Sequence, residues 1–163
     1  MARWVARSAV PVFTVVLVWI FAGPAFAAAP VRTEDSFQFS DTIDCGTFND
    51  NFTDLFVVTE FTLFDNGGAV SRVVDHVDHV SNDVNSATGL ALHEHDNFMT
   101  IFDPTAGTVT LDGALVRMNR PGQGIVIQDV GRLVFDADFH MIFMAGHHQA
   151  LQEGDRAFCN ALA

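Results

Sequence analysis

The segment TDLFVVTEFTLFDNGGAVSRVVDHVDHVS, residues 53–81, is the most informative about the fold because it joins two extended runs through a tight turn. In the first run, apolar residues such as Leu55 and Phe61 occupy odd positions, and polar residues such as Asp54 occupy even ones. Alternation of period two predicts a β-strand with one buried face, here the apolar one. The DNGG turn at residues 65–68 tolerates positive φ and therefore predicts a hairpin.

The same alternation of extended runs and turns continues to residue 145. The runs are rich in Val, Ile, Phe and Thr, and the turns contain Gly, Asn, Asp or Pro, which is typical of strands joined in sequence. The predicted strands are residues 37–45, 53–64, 69–81, 90–102, 108–119, 125–135 and 140–145, and a short helix is predicted at residues 153–162. No connection between strands is long enough for a crossover helix, so the sheet should be antiparallel.

These elements predict an all-β fold, an antiparallel up-and-down barrel of seven or eight strands with a short C-terminal helix. Closure into a barrel removes exposed strand edges, and a β-sandwich is the alternative. We expect one domain at residues 37–163, preceded by a flexible lead-in at residues 28–36, which is polar and irregular in pattern. Since the chain has 16 Phe and no Tyr, the interior should be lined by Phe.

Residues 1–27 have the three parts of a secretory signal peptide. Arg3 and Arg7 supply positive charge, residues 10–22 are apolar, and a small-x-small pattern ends at Ala27. The alternative, a membrane anchor, needs about 20 apolar residues, and this run is shorter. We therefore predict cleavage after Ala27, a secreted protein, and no stable membrane anchor after cleavage.

The charge of the remaining chain limits its partners. After residue 27 the sequence has six arginines, no lysine and 20 acidic residues, a formal net charge of −14. Such a surface repels phosphate groups, so nucleic acid and acidic membranes are not expected as partners. Carboxylates also bind cations, but no segment matches the calcium loop of an EF-hand.

The chain contains two cysteines, Cys45 and Cys159. In an exported protein, one pair of cysteines predicts a disulfide, and the alternative is two free thiols. The bridge would fasten the first strand to the C-terminal segment. From loop entropy alone it is worth about 4–5 kcal/mol.

Four of the seven histidines lie between residues 72 and 98. If the third and fourth strands pair around a symmetric loop, His76 faces His95 and Asp78 faces His93, on one side of the hairpin. Imidazoles and a carboxylate at this spacing suit zinc, which takes three or four N, O or S ligands. The sequence thus predicts a candidate metal site made of His76, Asp78, His93 and His95.

This prediction depends on the strand register and on which face is buried. A slip by one residue would bring Asp75 or His79 to the histidines of the fourth strand instead. Two alternatives remain open, namely solvent-facing side chains that bind no metal and acid–base catalysis without a metal.

Three segments carry a resemblance to other proteins: DTIDCGTF at residues 41–48, GQGIVIQDVGRLVFDAD at residues 122–138, and AGHHQAL at residues 145–151. They resemble segments of small secreted proteins of high-GC Gram-positive bacteria, a resemblance that implies no activity. The predicted strand order is also similar to that of the calycin and allene oxide cyclase barrels. Since fold does not fix function, this likeness assigns no catalytic residue.

The sequence favours a disulfide-stapled barrel that binds a small apolar or amphipathic molecule, because eight-stranded barrels can hold one small ligand. The second hypothesis is a metal-binding protein or metal-dependent enzyme that uses the cross-strand His/Asp patch. Apart from a divalent metal such as zinc under this hypothesis, no cofactor is expected. The third is a non-enzymatic surface protein that acts through its loops.

Overall fold

A computed structural model of the chain describes residues 28–163, and the predicted signal peptide at residues 1–27 lies outside the described residues. The described residues form seven strands and two helices. Their bounds are β1 Val31–Asp44, β2 Asn49–Phe64, β3 Val70–Asn85, β4 Ala91–Asp103, β5 Thr108–Arg120, β6 Gly124–Phe135, β7 Met141–His148, α1 Gln149–Glu153 and α2 Asp155–Leu162.

All seven strands belong to one sheet in the order β1 to β7, and each pairs antiparallel with the next. This confirms the predicted all-β fold, its sequential winding and a helical C-terminus. Within residues 28–163, β1 and β7 do not pair with each other. The sheet is therefore open along these two edges, and the predicted closure into a barrel is not confirmed.

Strand β1 begins at Val31, earlier than predicted, so residues 31–36 belong to the sheet and not to an irregular lead-in. Val31 pairs with Thr62, near the end of β2, so a long neighbouring strand templates the whole of β1. The polar composition of this segment is explained by its exposure, because Ile43 is the one β1 side chain that is not exposed.

Strand β2 has the predicted alternation but the opposite sidedness in its first half. Asp54 is buried, whereas Leu55 and Val57 are 42% and 37% exposed. The prediction that the apolar positions form the buried face is wrong here. The inner face of the sheet holds a polar cluster, to which Asp54 belongs, so polarity alone did not identify the buried side.

The apolar core lies where the two helices pack on the inner face of β4, β5 and β6. Leu92, Met118 and Ile127 of these strands are almost fully buried. They meet Ala157 and Leu162 of α2, which recur on one side of the helix. Neither helix in the described residues has the length and apolar character needed to cross a membrane.

A disulfide and a side-chain hydrogen bond hold α2 in place. Cys45, which follows β1, is bonded to Cys159 of α2 with a Cα–Cα distance of 5.4 Å, as predicted. Asn85 Nδ2 at the end of β3 donates to the carbonyl oxygen of Leu162 at 2.9 Å. Helix ends leave unpaired carbonyl groups, and this bond satisfies one of them.

The start of α1 is fixed by Asp129 on β6. Its two carboxylate oxygens accept hydrogen bonds from the backbone N–H groups of Ala150 and Leu151, at 2.8 and 3.0 Å. A carboxylate on these free N–H groups stabilises a helix start by about 1 kcal/mol. Both helices are thus attached to the sheet by specific polar contacts as well as by the core.

Three glycines, Gly113, Gly131 and Gly146, oppose one another across β5, β6 and β7. Gly131 has a φ of 147°, and a Cβ atom there would lie 2.0 Å from the carbonyl oxygen of Ala145. Gly131 is therefore a point of close backbone approach between β6 and β7. Only glycine permits strands to approach this closely.

Candidate functional site

The register of the β3–β4 hairpin differs from the predicted one. His76 pairs with Met99 and Asp78 with Asn97, so the predicted pairings of His76 with His95 and Asp78 with His93 are wrong. The reason is that β3 continues to Asn85, whose N–H donates to the carbonyl oxygen of Leu90 at 2.9 Å. The turn is therefore shorter than the predicted symmetric loop.

The four residues of the predicted metal site all lie on the exposed face of the hairpin. The structure brings two of them together, because His95 Nε2 lies 3.1 Å from Asp78 Oδ1. His76 packs edge-on against the ring of Phe61, and His93 pairs across the strands with Asn82. Metal binding by this set stays a prediction.

The opposite face of the same hairpin carries a second cluster, which the sequence did not single out. Side chains alternate along a strand, so the residues next to Asp78 and His95 point inward. The inner cluster comprises His79, Asp83, Glu94 and Asp96 of the hairpin and Asp54 of β2, all of which are buried. Asp96 is completely inaccessible to solvent.

His79 lies between two carboxylates. Its Nδ1 is 3.1 Å from Asp96 Oδ2, and its Nε2 is 3.2 Å from Asp54 Oδ1. The Asp96 contact is a hydrogen bond, whereas the Asp54 contact has ion-pair distance only. The imidazole ring stacks on Phe56, with ring centroids 4.1 Å apart. The ring is therefore fixed in position and orientation.

Burial perturbs the titration of this cluster. It raises the pKa of Glu94 to about 10, with a further contribution from Asp96, and it raises the pKa of Asp83 to about 7. Burial lowers the pKa of His79, but Asp96 and Asp54 more than offset this, so the pKa of His79 is raised. Desolvation and neighbouring like charges both disfavour an ionised carboxylate.

No arginine in residues 28–163 forms an ion pair with this cluster. The arginine ion pairs of the described residues lie elsewhere, at Arg32, Arg72 and Arg132. Asp96 Oδ1 is buried and has no hydrogen-bond partner among the described residues. An unsatisfied buried carboxylate is costly, so the cluster requires bound protons or a bound cation.

A cavity of about 310 Å³ adjoins the cluster. Its polar side is formed by Asp54, His79, Ser81, Asp83 and Glu94. Its apolar lining comes from four strands and α2, and consists of Ile43, Phe52, Phe56, Phe98, Leu115, Val116 and Phe158. Ligand pockets typically have volumes of about 300–1,000 Å³ with an apolar lining and a few convergent polar groups.

The sequence offered little basis for choosing between the two faces. In HEHD, residues 93–96, titratable side chains occupy both odd and even positions, so the alternation does not show which set is buried. The alternative one-residue slip, which would have brought Asp75 or His79 to His93 and His95, is also wrong, because His79 pairs with Asp96 and lies on the opposite face from those histidines. Comparisons with protein-family models, curated proteins and solved structures gave no match, so the site is interpreted from its geometry.

Proposed function

We propose that this protein is a secreted binding protein for a small amphipathic molecule, which occupies the cavity between the inner face of the sheet and α2. The observation that carries the proposal is the two-sided lining of the cavity, apolar around Phe52, Phe56 and Phe98 and polar around Asp54 and Glu94. In this proposal the sheet acts as an incomplete barrel, and the disulfide suits an oxidising, extracellular location.

The lining indicates the chemistry of the ligand. Carboxyl oxygens accept hydrogen bonds, and the carboxyl of Glu94, which its raised pKa of about 10 keeps protonated at neutral pH, also donates one, so the polar end of the ligand should both donate and accept, as a hydroxyl does. The apolar end contacts Phe side chains, which contribute large apolar areas. Phe158 of α2 lines the cavity next to the bonded Cys159, so the helix forms a fixed wall of the pocket.

An apolar fluorescent probe tests this proposal. Leu115 lines the cavity, and Leu55 is an exposed residue of the same type on β2. We expect the native protein to bind the probe, and Leu115→Trp to weaken binding by at least about tenfold, because the larger ring occupies the cavity. Leu55→Trp is the matched control and should leave the affinity unchanged.

Two outcomes would overturn the proposal. The first is probe binding that appears only when the protein is unfolded by urea. The second is equal loss of affinity in both Trp variants, which would place the probe on the surface. Far-UV circular dichroism of both variants shows whether the sheet is intact.

A further inference from the structure

We propose that His79, Glu94 and Asp96 bind one divalent transition-metal ion of the zinc type. One nitrogen of His79 and one oxygen from each carboxylate lie within 4.8 Å of one another. A borderline ion such as zinc accepts this mixed N and O ligand set. The inference goes beyond the amphipathic ligand and holds whether or not that ligand binds.

The contact between His79 and Asp96 has nearly the dimensions of a metal site. Their Nδ1 and Oδ2 atoms are 3.1 Å apart. Two ligand atoms at about 2.0–2.2 Å from a tetrahedral zinc ion are about 3.4 Å apart. A movement of a few tenths of an ångström therefore admits an ion between them. Glu94 lies two residues before Asp96 on β4, so its side chain leaves the strand on the same side.

Asp54 supplies the polar contact that the second ring nitrogen of a metal-binding histidine requires. When Nδ1 of His79 binds a metal, the ring proton sits on Nε2, which lies 3.2 Å from Asp54 Oδ1. Metal-binding histidines almost always donate their second N–H to a carboxylate, a carbonyl or water, which fixes the ring tautomer. Stacking on Phe56 fixes the plane of the His79 imidazole ring.

The charge and the unsatisfied atoms of the cluster point to a cation independently of its spacing. Asp96 is fully buried, and its Oδ1 has no hydrogen-bond partner in the described part of the chain. The chain contains no lysine that could neutralise it. Binding of a divalent ion displaces the protons carried by Glu94 and His79 in its absence. The resulting two carboxylates and neutral imidazole balance the charge of the ion, and the ion neutralises the buried carboxylate of Asp96.

The site also has room for an exogenous ligand. His79 and Glu94 both line the cavity, and Asp96, which is fully buried, is not among its lining residues. A zinc ion held by three protein side chains keeps one coordination position open. Here that position faces the cavity, so a hydroxyl or water oxygen in the cavity can complete the tetrahedron.

Zinc titration of the chelator-treated chain of residues 28–163, in competition with a chromophoric chelator, tests the inference. We expect about one zinc per chain. Asp96→Asn and Glu94→Gln preserve side-chain size and remove a charged ligand, so each should weaken binding by at least about 100-fold. Asp54→Asn should weaken it by about 10–100-fold, since it acts through His79.

The control is the double variant His93→Ala/His95→Ala, which removes two imidazoles from the exposed face of the same hairpin. It should bind zinc as the unaltered chain does. Zinc should also raise the melting temperature of the unaltered chain and of this control, but not that of Asp96→Asn, because a ligand stabilises only a folded state that binds it.

Three results would overturn the inference: no saturable zinc binding, equal affinity in Asp96→Asn and the unaltered chain, or loss of zinc in the His93/His95 control. The last result would assign the metal to the exposed face. Binding of the apolar probe by zinc-free protein is measured separately. Absence of zinc with intact probe binding rejects the metal site alone, and absence of probe binding with intact zinc binding rejects the ligand proposal alone.

Discussion

The β3–β4 hairpin carries two imidazole–carboxylate pairs of the same composition on its opposite faces. His79 and Asp96 approach to 3.1 Å on the inner face, and Asp78 and His95 approach to 3.1 Å on the outer face. The side chains of His79 and Asp96 are 10% and 0% exposed, and those of His95 and Asp78 are 68% and 53% exposed. The two pairs differ in solvent access, not in contact distance.

The contact distance between an imidazole and a carboxylate therefore does not by itself define a functional site. In water, an exposed ion pair contributes about 0–1 kcal/mol, because solvent screens the charges and the side chains lose freedom. In the interior, each charged group has already lost its hydration and depends on its partner. Loss of the inner pair should therefore destabilise the folded protein, whereas loss of the outer pair should have little effect on its stability.

The largest expected effect comes from removing one member of each pair. His79→Ala leaves Asp54 and Asp96 buried without a positive partner, and should lower the free energy of unfolding by about 3–5 kcal/mol. His95→Ala should lower it by less than about 1 kcal/mol. Urea denaturation in a chelating buffer measures both, and equal losses would contradict the distinction between the faces.

The next effect is a pH dependence specific to the inner face. Burial raises the pKa of Asp83 to about 7 and that of Asp50 to about 6. Glu94, whose pKa is raised to about 10, extends this effect, so the folded protein binds more protons than the unfolded chain from about pH 4 to about pH 10, and stability falls as the pH rises through this window. We expect a loss of roughly 4–8 kcal/mol between pH 5 and pH 8.

Asp83→Asn should reduce this slope, because the amide does not titrate. Asp78→Asn, on the exposed face, is the control and should leave the slope unchanged. Denaturation curves at a series of pH values in chelator provide the measurement. A slope that is flat, or that has the opposite sign, would show that the inner carboxylates are ionised without cost.

A smaller effect is expected for the aromatic neighbours of the two faces. Phe56 stacks on buried His79 at 4.1 Å, whereas Phe61 meets exposed His76 edge-on at 5.8 Å. Phe56→Leu should destabilise the protein by about 1–2 kcal/mol, through loss of stacking and of packing. Phe61→Leu should cost less, and thermal melting of the two variants compares them directly.

The smallest expected effect is the coupling between Asp78 and His95. A double-mutant cycle at pH 6 should give about 0.2–1 kcal/mol, and 1 M salt should remove it, because exposed charges are screened. The corresponding cycle for His79 and Asp96 should persist in salt. A salt-resistant coupling on the outer face would mean that the exposed pair is held more rigidly than its solvent access indicates.

Much of the fold could be predicted because its signals are local. The DNGG turn, the alternation in β2 and the pairing of Cys45 with Cys159 each depend on a few residues. The length of β1 could not be predicted, because its polar sequence is also typical of a loop. Its strand conformation depends on pairing with β2. Closure of the sheet depends on whether β1 and β7 meet, which no local pattern encodes.

The site itself was only partly predictable. The sequence identified the hairpin and its histidines, but a register difference of four positions decides which residues oppose each other. The longer β3 was hidden by polar residues at Asn82 and Asp83, which also suit a loop. The choice of face was not encoded in polarity, because Asp54 and Glu94 point inward while Leu55 points outward.

The disulfide has a kinetic consequence for anything held in the cavity. Phe158 forms part of the cavity wall, and its neighbour Cys159 is covalently joined to Cys45, which follows β1. If the cavity holds the proposed ligand, a guest that leaves past this wall would do so while the helix stays tethered, and the tether would lengthen its residence time. Reduction of the bond would leave this wall held by the apolar core and by hydrogen bonds such as that from Asn85 to Leu162, so the escape rate of a guest would depend on the oxidation state of one bond.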